Sequence, residues 1–340
     1  METDVLMQPQ HIAPLTLRAT IEQWPLLTPF AITGYTWANT EVLVVSLESK
    51  GRVGRGEAAG VYYKGDDPGP MLAQIESLRA AIEAGCSRDC VQKWLPPGGA
   101  RNALDCALWD LEAKLTGYPA WQMAGLPKPR PLMATFTCGA DKPREMAAKA
   151  RSYSFARAIK LKLTGDEVDT ARVRAVRDAR PEVWLSVDAN QGFSRAFLDR
   201  VMPTLVESRV ALVEQPFPVG QEAWLDGVRS PIPIAADESV QSRADIPRLV
   251  GRFDVVNIKL DKAGGLTEGL AMARAAEAQG LKAMIGNMLG TSLAMAPGFL
   301  VGQLCSVVDL DGPILLKRDR VDPVDYADGW MTCPDALWGN

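Results

Sequence analysis

The chain has 340 residues, too long for one ordinary small domain, so two domains are expected, and its 47% hydrophobic and 23% charged residues are ordinary for a globular protein. Its 41 acidic and 37 basic residues leave a net charge of −4 with no basic stripe, which argues against nucleic acid and anionic lipid as partners. No apolar run approaches the ~20 residues of a membrane span, and a lone histidine, His11, excludes Ser-His-Asp triads, Cys-His pairs and His-rich zinc sites.

Residues Met1 to Pro14 carry acids and prolines in place of a basic region and an apolar core. No secretory signal is read there, so the expected location is the cytoplasm. Leu15 to Gln23 alternates like a strand, Val42 to Leu47 is a strong strand, and Gly51 to Gly56 reads as a turn before Glu57. Pro70 to Ala84 and Ala100 to Leu115 read as helices, the second with apolar residues every three or four positions and Gly117 placed to stop it. Strands followed by helices predict an α+β capping domain over residues 1–128. Cys86, Cys90, Cys106, Cys138, Cys305 and Cys333 lack zinc-knuckle or redox spacing, and buried thiols are the simpler reading.

Pro127, Pro129 and Pro131 form a linker, since alternate prolines suit neither a helix interior nor a central strand. Beyond it, a short apolar run ending in a polar residue repeats eight times. The runs end at Thr137, Lys160 with Lys162, Asp188, Glu214, Asp237, Lys259, Asn287, and Asp309 with Asp311. From Lys162 to Lys259 the ends are spaced by 26, 26, 23 and 22 residues, room for one strand, one helix and two loops. No Gly-x-Gly-x-x-Gly follows any run, so a doubly wound sheet loses to a closed α/β barrel over residues 129–315, with chemistry at the carboxyl ends of its strands. Residues 316–340 are expected to return to the cap.

Asp188, Glu214 and Asp237 end three successive strands. Three ionised carboxylates at one rim repel one another unless a cation sits among them, and an all-oxygen set suits one Mg²⁺. Lys160 and Lys162, two apart, share a strand face. Crowding two ammonium groups should lower one pKa, and Lys162, nearer the strand end, is read as a base. Lys259 should face it across the barrel mouth. Lys262, before Gly264 and Gly265, is read as an exposed lysine. A metal-bound carboxylate acidifies its α-proton, so opposed lysines could racemise or epimerise that carbon through an enediolate.

Lys160-Leu161-Lys162, Asp188-Ala189-Asn190, Glu214-Gln215-Pro216, Asp237-Glu238-Ser239 and Asn257-Ile258-Lys259 together resemble the enolase superfamily, in its muconate-lactonizing-enzyme subgroup. The resemblance implies a modified TIM barrel, (β/α)7β, closed by a cap made from the N-terminal part and the C-terminal tail. It implies Asp188, Glu214 and Asp237 as Mg²⁺ ligands, Lys162 and Lys259 as the acid/base pair, and Lys160 as an auxiliary lysine. Asp309-Leu310-Asp311 resembles the dipeptide epimerases, where two carboxylates on one strand face would receive a free α-ammonium.

The expected reaction is 1,1-proton transfer at the C-terminal residue of a dipeptide. Thr137, Trp37 and Tyr35 are further candidate substrate contacts. Ala31 to Thr40, taken as the first cap loop, carries no charge, where the L-Ala-D/L-Glu epimerases are expected to place a base. An uncharged or apolar side chain should therefore be preferred, unless Lys64 or Arg55 supplies the charge from another loop. Alternatives within the subgroup are o-succinylbenzoate synthase, N-acylamino acid racemase and muconate cycloisomerase; from a different class, a non-catalytic barrel. A homo-oligomer is compatible with all of them.

Overall fold

The computed structural model describes residues 8–32 and 34–340. Strands β1 (Thr16–Ile32), β2 (Tyr35–Ser49) and β3 (Arg52–Ala58) form an antiparallel sheet in that order. Helices α1 (Pro68–Ser77), α2 (Arg79–Ala84), α3 (Arg88–Trp94) and α4 (Gly99–Thr116) follow. Leu104, Leu108 and Leu111 of α4 pack with Leu43, Val45 and Leu47 of β2, while Cys106, Trp109 and Ala113 join the core shared with the barrel. One helix thus seals two cores, which is why it is buried on nearly every side. Gly117 ends it in a left-handed conformation (φ 73°), as expected from the sequence.

Three cap expectations need correction. Gly51 to Gly56 is mostly strand β3, and Gly54 and Gly56 are there because α4 lies against it: a Cβ would fall 2.3 Å from the Ala107 oxygen at Gly54 and 2.1 Å from the Ala103 oxygen at Gly56. The single helix expected over Pro70 to Ala84 is two, parted at Leu78. The segment Ala31 to Thr40, read as a loop, belongs largely to the β1–β2 hairpin, which pairs Phe30 with Trp37 and Ile32 with Tyr35. Pro25 and Pro29 hide this extension in the sequence, and the register shifts between Pro25 and Phe30 to accommodate it.

After α5 (Ala120–Met123) and the short β4 (Leu132–Met133), the second layer begins: β5 (Thr135–Cys138), α6 (Pro143–Ser152), β6 (Ala158–Lys162), α7 (Asp169–Ala179), β7 (Trp184–Asp188), α8 (Arg195–Glu207), β8 (Val210–Glu214), β9 (Ile234–Ala236), β10 (Val255–Lys259), α9 (Leu260–Ala263), α10 (Leu266–Ala278), β11 (Lys282–Gly286), α11 (Ser292–Gly302) and β12 (Val307–Val308). β5 to β12 form one parallel eight-stranded sheet in chain order, and a parallel bridge between Ala134 and Val308 joins its last strand to its start. This is the (β/α)7β barrel. On either side of β9 the connections hold only 3₁₀ turns, Glu222–Leu225 and Arg243–Leu249.

Period-two alternation sorts the side chains. Ile159, Leu161, Val187, Val213, Ala236 and Ile258 join the core under the helices. Lys160, Lys162, Asp188, Glu214 and Lys259 take the opposite face, toward the barrel interior.

The chain ends on the cap. β13 (Trp330–Met331) pairs with β4, Trp338 Nε1 donates to the Arg55 oxygen at 2.8 Å, and Gly339 N donates to Asp110 Oδ1 at 2.7 Å. No helix among the described residues is long and apolar enough to cross a membrane.

Candidate active site

A cavity of about 490 Å³ lies between the cap and the carboxyl ends of the barrel strands. Lys160, Lys162, Lys259, Thr137, Asp309 and Asp311 line it from the barrel, and Phe30, Ile32, Trp37 and Tyr62 from the cap. Asp188 and Glu214 end β7 and β8 and Asp237 follows β9, all three buried behind the lining lysines, each offering an oxygen within 4.8 Å of the others'. The register places Asp188 beside Glu214 and Lys162 beside Asp188, so adjacency along the barrel assembles the set.

Lysines neutralise these carboxylates. Lys162 Nζ donates to Asp188 Oδ2 at 2.6 Å, and Lys259 Nζ donates to Asp237 Oδ2 at 2.7 Å. Burial alone would raise Asp237 and Asp188, but Lys259 and Lys262 at the first, and Lys162 and Lys160 at the second, hold both below the usual carboxylate range. Glu214 differs. Burial and the neighbouring Asp188 charge push it up to about 8, against the pull of Lys160, and its Oε2 accepts no hydrogen bond. Asp309 Oδ1 is likewise buried and unpartnered.

The orphaned Glu214 oxygen tests the fit of a cation. A buried carboxylate oxygen without a donor is costly, and a divalent ion held among Asp188, Glu214 and Asp237 removes the cost. Hard oxygen donors on three adjacent strand ends suit Mg²⁺, and Asp188, Glu214 and Asp237 would hold it.

Because β6 and β10 are four strands apart in an eight-stranded barrel, Lys162 and Lys259 approach the cavity from opposite sides. Lys160, read as the auxiliary lysine, is held charged. Burial would lower its pKa, but Asp309, Glu214 and Asp188 outweigh burial and raise it well above the ordinary value. Lys160 ion-pairs with Asp309 and stands 3.5 Å from Glu214 Oε2. Asp311 Oδ2 accepts from the Thr137 amide at 2.7 Å, which explains why Thr137 and Asp311 share one wall.

Lys262 is a second correction. Far from exposed, it is buried to 2% and donates to Asp237 Oδ1 at 2.5 Å, to the Asp237 carbonyl at 2.6 Å and to the Asn257 carbonyl at 3.1 Å. Its partners come from β9 and β10, so nothing local in the sequence signals its burial. The aromatic pair separates: Trp37 lines the cavity, while Tyr35 is half-exposed outside it, stacked on Trp37 with ring centres 5.6 Å apart. Lys64 and Arg55 do not line the cavity, and Arg55 points to the tail, donating to the Leu337 carbonyl.

Phe30, Ile32 and Tyr62 also line the cavity, with no site signal of their own in the sequence. Asp261 Oδ1 accepts from the amides of Ala59 and Gly60 at 2.9 and 2.8 Å and so ties the cap to the turn after Lys259. The apolar character of Phe30 and Ile32 was legible, but not that the hairpin reaches over the barrel.

A capped (β/α)7β barrel with a carboxylate trio between opposed lysines defines an enolase-type enzyme. The chain belongs to that family: residues 143–337 match the family model described as enolase C-terminal domain-like, and residues 15–125 match the mandelate racemase/muconate lactonizing enzyme N-terminal domain. It is 38% identical over 316 residues to an L-Ala-D/L-Glu epimerase of Escherichia coli K12, covering 92% of this chain and 98% of that one. It is 41% identical over 246 residues to an N-acetyl-D-glutamate racemase of a Pseudoalteromonas species, covering 72% and 78%. A solved dipeptide epimerase from Methylococcus capsulatus, complexed with Mg and the dipeptide L-Arg-D-Lys, superimposes with a TM-score of 0.89 at 29% identity, covering 95% of this chain and 98% of that one.

Proposed function

We propose that this enzyme epimerises dipeptides at the α-carbon of the C-terminal residue, with an apolar or uncharged side chain preferred there. The placement of Lys162 and Lys259 on opposite strands of one cavity carries the reading. As a neutral amine, one lysine takes the α-proton from its face. The other, as an ammonium, delivers a proton to the opposite face, so the carbon inverts and no atom is gained or lost. Mg²⁺ held by Asp188, Glu214 and Asp237 would supply the positive charge that makes the α-proton of a bound carboxylate removable. Lys160 adds a fixed cation beside Asp188 and Glu214.

Asp309 and Asp311 line the wall where the dipeptide's ammonium would sit, and Asp309 Oδ1 has no donor of its own. From the cap, Phe30, Ile32, Trp37 and Tyr62 give the substrate side chain an apolar surface, and the charged cap residues in the lining, Glu41 and Asp67, are acids. Among the described lining residues a glutamate side chain finds no cap base.

A second reading, racemisation of an N-acylated amino acid, is favoured by the similarity to the Pseudoalteromonas protein. One experiment separates the two. In deuterated water, exchange at the C-terminal α-carbon is expected with L-Ala-L-Leu, more slowly with L-Ala-L-Glu, and not with N-acetyl amino acids. The double variant Asp309→Ala, Asp311→Ala should lower kcat/KM for dipeptides by about 100-fold or more, the scale of losing a charged hydrogen-bonded pair. Absence of exchange across a broad dipeptide library would refute the reading.

A further inference from the structure

Tyr62 lines the cavity from the cap. It opens a 3₁₀ turn (Tyr62–Lys64) whose start is held by Asp261: that carboxylate bonds the amides of Ala59 and Gly60, just ahead of the turn. Its ring is fixed on several sides. Trp37 meets it edge-on at 5.1 Å between ring centres, Tyr35 at 4.6 Å and Tyr63 at 5.1 Å. Tyr63 is tied to the barrel in turn, because Gln241 Nε2 donates to its hydroxyl at 3.2 Å and also to the Glu238 carbonyl at 2.8 Å. Four aromatic rings therefore run as one wall from the hairpin tip to the barrel rim, and the Tyr62 ring is locked within it.

The two tyrosine hydroxyls differ in one respect. That of Tyr63 has a protein partner; that of Tyr62 has none among the described residues, although the residue lines the cavity. The charges that act on it are Lys259, Glu238, Asp237 and Asp188, all at the barrel mouth. Burial raises the phenol above its ordinary range, so the group remains an O–H donor at any working pH.

We propose that Tyr62 is a substrate-binding catalytic residue whose hydroxyl donates a hydrogen bond to a carboxylate oxygen of the reacting residue. This rests on the epimerase reading and deepens it. The carboxylate gains negative charge as the α-proton leaves, so a fixed donor there stabilises the transition state more than the bound substrate. The donor serves both directions of inversion alike, because both pass through the same charged carboxylate. The ring and the hydroxyl have separate tasks: the ring walls the side-chain space with Trp37, and the hydroxyl reaches past it to the reacting end.

The test is Tyr62→Phe, which keeps the ring and its packing. Steady-state rates from the L,L and L,D forms of a good dipeptide, with a thermal melt of each protein, decide it. The expected result is kcat lower by about 10- to 100-fold in both directions, with KM changed by less than about threefold and the melting temperature unchanged. A variant within about twofold of the parent, or a loss confined to one direction, would overturn the proposal; the second result would place the hydroxyl on Lys259 instead of the substrate. Wild-type protein inert toward every dipeptide would defeat the epimerase reading itself, a separate outcome.

Discussion

Across the cavity two unlike surfaces meet. The barrel mouth is crowded with buried charge: Asp188, Glu214, Asp237, Glu238, Asp309 and Asp311 against Lys160, Lys162, Lys259 and Lys262. If all are ionised, acids exceed lysines by two charges, the deficit one divalent cation fills. The facing cap surface is mainly aromatic and aliphatic, built on a hairpin and a 3₁₀ turn. Charges that must hold position to within a fraction of an ångström sit on paired strands, whereas the selective surface sits on elements that can vary without disturbing them. Under the proposed function the contrast is a division of labour in which the mouth sets rate and the cap sets choice.

That division can be broken most severely at the mouth. Stripping divalent ions with a chelator should abolish epimerisation, a loss of about 10³-fold or more, with activity restored by Mg²⁺. Asp237→Asn should resist that restoration, and Mg²⁺ titration by calorimetry would show whether binding itself is lost. Full activity in a metal-free sample would mean the carboxylates serve only the lysines.

A cap change should act differently and less. Ile32→Ala removes an apolar lining side chain that is not part of the aromatic wall holding Tyr62, so KM for apolar dipeptides should rise by about 10-fold while kcat stays within about threefold. A fall in kcat with unchanged KM would erase the proposed contrast. Tyr62 is the deliberate exception, a cap residue expected to act on rate.

The barrel was legible in the sequence because buried parallel strands are short apolar runs, and most here end at or beside a residue of the proposed site. Asp188, Glu214, Lys162 and Lys259 needed only strand order to be brought together. The cap was less legible for a physical reason: its hairpin contains prolines, and its glycines at 54 and 56 answer to a helix about fifty residues away. Lys262 shows the same limit inside the barrel. Beside two glycines it reads as a loop lysine, and only the carbonyls and carboxylate of neighbouring strands make it a buried one. Local pattern reports which face a strand residue takes; it does not report what a turn meets.

The central claim is that two lysines address opposite faces of one carbon. It is tested most directly by making Lys162→Ala and Lys259→Ala separately and following deuterium entry from solvent into each enantiomer of the C-terminal residue. Each variant should lose epimerisation by about 10³-fold or more, yet one should still exchange only the L form and the other only the D form. If either variant exchanged both forms, or still inverted the carbon at near the parent rate, the two-lysine account would be wrong.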